Sequence, residues 1–175
     1  MILLIISINA GHTIRGKGAG ASYNGLYEGT ITRQVANELI KLLKVKGYQV
    51  FNSTVDKASS QNQYLKQVCK LANNVNADLF ISLHTNASSS HKGQGCEVYT
   101  WKGKRHQEAI SICANLADLG LKNRGVKDGS KLYVIKHTTP KALLVELFFI
   151  DNNYDREVFK TKGAKQIAKA IADAL

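Results

Sequence analysis

Apolar residues recur along this chain in two rhythms. One is the short continuous run of a covered strand, as in Leu79, Phe80, Ile81 and Leu83, which ends near His84. The opening Met1-Ile2-Leu3-Leu4-Ile5-Ile6-Ser7-Ile8, the segments 48–51 and 132–135, and the long run 142–150 read the same way. Segment 96–101 alternates instead, as an antiparallel or edge strand would. The second rhythm is helical. Ile31, Val35, Leu39, Ile40 and Leu43 recur at intervals of three and four, with Gly47 as a stop; residues 61–76, 106–119 and the final stretch from Ala164 to Leu175 behave alike. Strands alternating with helices, the strands mostly apolar, predict a three-layer α/β fold around a mainly parallel sheet.

Composition narrows this picture. At 175 residues and 44% hydrophobic content the chain suits one core, hence a single domain over 1–175. Polar loops at 15–25 and 86–95 read as local insertions within it. The apolar start lacks the basic region of a signal sequence and reads as the first strand, and no run approaches the roughly 20 apolar residues of a membrane span. Synthesis in the cytoplasm without a signal peptide in this segment, and no membrane insertion, are the expectations. Cys69, Cys96 and Cys113 fit neither a disulfide framework nor a paired-thiolate zinc site, so they read as core residues. The formal charge of +11 calls for an anionic partner: nucleic acid, acidic membrane or acidic wall polymer.

Chemistry enters where strands end, because open α/β sheets bind ligands outside the carboxyl ends of their strands. His84 closes one strand. His12 follows the first strand directly after Gly11, a residue that would let the backbone turn. Glu146 interrupts the apolar run 142–150, where a carboxylate is costly unless paired or functional, and Glu28 lies in the loop just before the first helix. Singly, His84 also reads as a histidine packed on a loop, Glu28 as an acid favouring a helix dipole, and Glu146 as an ion-pair partner. Together, two histidines and two glutamates make up the parts of a hydrolytic zinc site with three protein ligands and a separate base. The spacing is long and contains no HExxH, so pattern alone does not fix the assignment.

The order NAGH, Glu28 ahead of a helix, LANNVNADLFISLHTNA, GCEVYTW and NRGVKDGSKLYVIKHTTPKALLVELFFIDN resembles the zinc-dependent N-acetylmuramoyl-L-alanine amidases of the Amidase_3 type over nearly the whole chain. Such domains occur in phage endolysins and bacterial autolysins. The resemblance implies a six-stranded, mostly parallel sheet flanked by helices, with His12, Glu28 and His84 as ligands of one zinc ion and Glu146 as the catalytic glutamate. It implies cleavage of the amide between N-acetylmuramic acid and L-alanine in peptidoglycan, by a monomer acting on the cell wall, with a wall-binding domain carried elsewhere. The chain has Asn9-Ala10 where the family usually has Asp-Pro, and Leu147 where it usually has a small residue.

Asn86, Arg124 and His137 are further candidates for substrate contact, and Arg124 could pair with a substrate carboxylate or serve a structural ion pair. His91 and His106 read as a solvated loop residue and the start of an exposed helical turn. Two competing readings stay open at this level: a zinc peptidase cutting within the stem peptide, and a non-catalytic basic module holding anionic wall polymer. Nucleic acid lacks support, since no RRM, KH or zinc-finger signature is present.

Overall fold

The computed structural model describes residues 4–14 and 18–175; Met1–Leu3 of the expected first strand and residues 15–17 of the expected loop lie outside the described residues. The elements in chain order are β1 (Ile5–Ala10), β2 (Ser22–Tyr23), β3 (Leu26–Tyr27), α1 (Glu28–Val45), β4 (Gln49–Asn52), α2 (Gln61–Asn74), β5 (Leu79–Asn86), β6 (Cys96–Thr100), α3 (Gln107–Asp118), β7 (Asn123–Asp128), α4 (Tyr133–His137), β8 (Lys141–Phe149) and α5 (Asn153–Ala172). A single 3-10 turn, Trp101–Gly103, follows β6.

Six strands form one sheet in the order β4-β1-β5-β8-β6-β7, and β2 with β3 forms a small separate hairpin. All pairings in the large sheet are parallel except β6 with β8. The expectation of an antiparallel β6 therefore holds, while the edge position belongs to β7.

Two hydrophobic clusters make the layers. Ile6, Ile8, Ile81, Leu83, Leu143, Val145 and Leu147 project toward α1, α3 and α5. Phe80 and Leu144 project the other way, toward Tyr64 and Val68 of α2 and Val134 and Ile135 of α4. Because strand side chains alternate, the second face also receives Ser7, Asn9, Ser82, His84, Glu146 and Glu97, six polar residues that a wholly apolar strand would not carry. The sheet is thus apolar on its thickly covered face and polar near one end of the other.

Two elements differ from the sequence reading. Segment 132–135 was expected as a strand, yet Tyr133–His137 is a short helix whose Val134 and Ile135 are buried against Phe80's cluster. Four apolar residues cannot distinguish a strand from one helical turn. The sixth strand is instead Asn123–Asp128, NRGVKD, an edge with no buried residue and hence no apolar run. The last helix starts at Asn153, with the Asn152 side chain capping Asp155 N–H; Gly163, at φ +71°, breaks it near where the sequence placed its start. The three cysteines are buried free thiols, as expected.

Candidate active site and metal centre

Parallel pairing aligns the carboxyl ends of β1, β5 and β8. His84 sits opposite Glu146 across β5 and β8, and Glu146 sits opposite Glu97 across β8 and β6, so the three share one row on the polar face. His12 lies just beyond β1 and Glu28 is the first residue of α1, rather than part of the loop before it. The ligand atoms of His12, Glu28 and His84 all lie within 4.8 Å of one another.

Glu28 is 3% exposed and its carboxylate is fixed by main chain: Oε2 accepts from Ala21 N–H at 2.8 Å and Oε1 from Thr85 N–H at 2.9 Å. Each oxygen also faces an imidazole nitrogen, His12 Nε2 at 3.2 Å and His84 Nδ1 at 3.2 Å. Hydrogen bonds on the far sides of the rings assign the tautomers. His12 Nδ1 stands 3.0 Å from the Gly18 carbonyl, which can only accept, so that nitrogen carries the proton. His84 Nε2 stands 3.0 Å from Ser82 Oγ, whose own proton goes to Asn9 Oδ1 at 2.8 Å; Nε2 therefore donates.

Both neutral rings thus turn a lone pair toward a carboxylate that also offers lone pairs. That arrangement is repulsive alone and attractive around a cation. Two imidazoles and one carboxylate, each oriented by a second hydrogen bond, suit a zinc ion with an open coordination position. Without a cation, a proton serves part of that need. Burial lowers the basicity of His12, but the Glu28 carboxylate outweighs it and raises the pKa. For His84 burial dominates and the pKa falls. Glu28 stays ionised: burial opposes the charge, and the imidazoles facing its two oxygens, which favour the carboxylate whenever they carry a proton between them, outweigh it and hold the pKa well below the usual range.

Close approach demands glycine at two points. A Cβ on Gly11 would stand 2.5 Å from His84 Cε1, and one on Gly20, at φ +78°, would stand 2.5 Å from Glu28 Oε2. The sequence assigned Gly11 to a turn, but the left-handed residue is His12 itself, at φ 68°; Gly11 is there for space.

Glu146 stands beside this cluster in a cleft of about 350 Å³ whose lining includes Asn9, His12, Tyr64, His84, Leu132 and Tyr133. Its Oε2 is buried and has no hydrogen-bond partner among the described residues. Burial first, then the charges of Glu28 and Glu97, push its pKa up to about 8. Tyr64, 4% exposed, also brings a hydroxyl without a partner among the described residues to this cleft.

A family model described as N-acetylmuramoyl-L-alanine amidase matches residues 6–175. The chain belongs to this amidase family. It is 32% identical to the N-acetylmuramoyl-L-alanine amidase CwlM of Bacillus licheniformis over 178 residues, covering 97% of this chain and 66% of CwlM. An uncharacterized Clostridium perfringens protein is 35% identical over 176 residues, 97% of this chain and 51% of that protein. The chain thus spans about half to two thirds of the length of these curated relatives. Among solved structures, the catalytic domain of the CD27L endolysin targeting Clostridia difficile superposes with a TM-score of 0.89 at 30% identity, covering 98% of this chain and 96% of that one. The six-stranded, mostly parallel sheet is the fold of these amidase domains.

Within the amidase fold the remaining candidates separate. Asn86 and Arg124 converge on Glu97, which sequence reasoning passed over. Glu97 is 2% exposed; Asn86 Nδ2 donates to its Oε1 at 2.9 Å, Tyr99 Oη to the same oxygen at 3.0 Å, and Arg124 Nε to its Oε2 at 2.8 Å. None of these four residues lines the cleft. His137 also stays outside it, its ring 4.2 Å from that of Tyr133 at the end of α4. His91 is exposed, as expected for a loop histidine, but tied through Nδ1 to Asp151 at 2.9 Å. Asn9 and Ser82, which orient His84, and Tyr64 were likewise missed. A buried carboxylate in the alternating segment 96–101 was the available signal for Glu97. For Ser82 the signal was a lone polar residue two positions before His84, on the same strand face.

Proposed function

We propose that this chain is the catalytic domain of a zinc-dependent N-acetylmuramoyl-L-alanine amidase, hydrolysing the amide between the lactyl group of N-acetylmuramic acid and L-alanine in bacterial peptidoglycan. The observation that carries this reading is the convergence of two imidazole lone pairs on the Glu28 carboxylate, beside a buried carboxyl oxygen of Glu146 that has no partner among the described residues. His12, Glu28 and His84 would hold one zinc ion. When bound, zinc supplies Lewis-acid polarisation of the scissile carbonyl and lowers the pKa of water toward about 7.

Glu146 does the proton work. Its free Oε2 accepts a proton from the attacking water and then returns it to the departing L-alanine amine. A carboxyl whose pKa stands well above the ordinary range suits both steps, because its ionised form takes the proton of water more readily as a base and then holds that proton until it is delivered to the amine. Tyr64, whose burial raises its pKa above the ordinary tyrosine value, stays neutral and keeps its hydroxyl available to donate to the carbonyl oxygen as charge develops there. Ser82 and Asn9 keep the His84 ring in the tautomer that presents Nδ1.

Digestion of purified peptidoglycan, with chelation and zinc add-back, tests the reading. The expected result is metal-dependent release of L-alanine amino groups without new reducing sugar ends. A different new amino terminus would move the bond into the stem peptide, and a folded, zinc-loaded sample that cleaves nothing would leave only wall binding.

A further inference from the structure

At the opposite end of β8 from Glu146, the 3-10 turn after β6, the start of α3 and the connection from α4 to β8 enclose an open groove of about 390 Å³. Its lining includes Trp101, Lys104, His106, Lys136, Thr138 and Lys141. Trp101 is 43% exposed, a large aromatic surface left in water. In the turn that presents it, Lys102 at φ 54° and Gly103 at φ 65° are both left-handed, and none of its three residues is buried. The Lys102 ammonium stands 6.0 Å from the Trp101 ring centre.

Charge around this groove is one-sided. The run 101-WKGKRH-106 and the run 136-KHTTPK-141 meet here, bringing Lys104, Lys136 and Lys141 into the lining. Glu108 pairs with Lys141 at 2.6 Å and Asp128 lies against Gly103 of the turn, so Lys104 and Lys136 are the cations of the lining left for a ligand. No side chain caps the first turn of α3, so its main-chain N–H groups add positive potential at the same edge. His106, the N-cap residue, has its pKa lowered by partial burial and then by Lys141 and Lys104, consistent with cations crowding this edge.

We propose that this groove is a docking site for a phosphodiester-linked polyol polymer of the cell wall, with lysines on the phosphates and the Trp101 face against the polyol or sugar units. The choice of occupant rests on the wall-hydrolase reading above; the existence of a polyanion site does not. A single-stranded nucleic acid is the less favoured occupant, since such strands stack successive bases on several aromatic side chains and this groove offers one. Lys141 precedes Glu146 by five positions on an extended strand, so the groove lies about 17 Å from the catalytic carboxyl. A polymer held there leaves the cleft open, and the enzyme can remain on the wall while it cleaves.

The chain carries its own reporter, because Trp101 is the sole tryptophan. Titration with poly(glycerol phosphate) of defined length is expected to change Trp101 emission saturably, with affinity falling as salt rises, while neutral dextran leaves emission unchanged. Lys104→Glu with Lys136→Glu, both exposed and outside the cleft, is expected to weaken binding by about tenfold or more. The same double variant is expected to cleave a soluble muramoyl-peptide at the wild-type rate. No change in emission, or undiminished affinity in the double variant, would overturn the site. A single-stranded oligonucleotide of matched phosphate number binding as tightly as the polyol polymer would overturn the assigned occupant. Cleavage of the muramoyl-peptide is scored separately, so failure of the amidase reading and failure of the docking site are distinguishable.

Discussion

Glu97 and Glu146 are neighbours across β6 and β8, on the same face, in the same row, and both are carboxylates set in strands of the sheet. Their surroundings are opposite. Glu97 receives three hydrogen bonds, one from an arginine, and is a satisfied charge. Glu146 has an oxygen without a hydrogen-bond partner among the described residues, two other carboxylates nearby, and a pKa raised to about 8. Residue type and burial therefore do not distinguish the two carboxylates; the absence of compensation among the described residues sets Glu146 apart, and on that the proposed catalytic role rests.

The sharpest way to break that contrast is Glu146→Gln. Activity on peptidoglycan is expected to fall by about 10²–10⁴-fold while zinc content and the folded state are retained, as measured by turnover and metal analysis on one preparation. Near-normal turnover by a zinc-loaded variant would remove Glu146 from the reaction. Next comes the support of His84: Ser82→Ala frees Nε2 from its partner and is expected to weaken zinc affinity by about 10–100-fold in a competition titration, without loss of fold. Unchanged affinity would mean that the hydrogen bond does not set the tautomer.

The structural member of the pair should respond in stability. Glu97→Ala leaves Arg124, Asn86 and Tyr99 without their common acceptor, and a cost of about 2 kcal/mol in chemical denaturation is expected, held below the usual cost of breaking a buried pair because Arg124 is part-exposed. A negligible cost would show that water replaces Glu97 readily.

The last effect concerns pH. A carboxyl whose folded pKa exceeds its unfolded value binds more protons when folded, so its contribution to stability is fully present below about 4.5 and declines as pH rises toward about 8. Gln stands in for the protonated form. In chelator, the melting temperature of Glu146→Gln relative to wild type should therefore climb between these pH values and level off above them. A difference independent of pH would contradict the unpaired state of Glu146.

Much of this was legible in the residues. Long amphipathic helices and buried strands declare their periods, and a three-layer α/β fold around a mainly parallel sheet followed from them, while the six-strand count came from the family resemblance. What failed were elements whose burial does not match their pattern. NRGVKD pairs through its backbone at a wet edge and needs no apolar run, while LYVI forms a helical turn because it fills a gap beside Phe80. At the site, His12, Glu28, His84 and Glu146 were readable as polar residues at strand or helix ends. Their mutual geometry was not, because Glu28 is fixed by main-chain groups of Ala21 and Thr85, and backbone donors leave no mark on sequence. Asn86 and Arg124 were singled out without the residue that gathers them.

The most direct test places the two carboxylates side by side: kcat/KM of zinc-loaded Glu146→Gln and Glu97→Gln on one defined muramoyl-tripeptide, with metal content and melting temperature measured on the same samples. The prediction is a loss of at least about 100-fold for Glu146→Gln and less than about tenfold for Glu97→Gln, both fully loaded with zinc. Near-equal losses in the two variants, or a Glu146→Gln enzyme that still turns over normally, would contradict it.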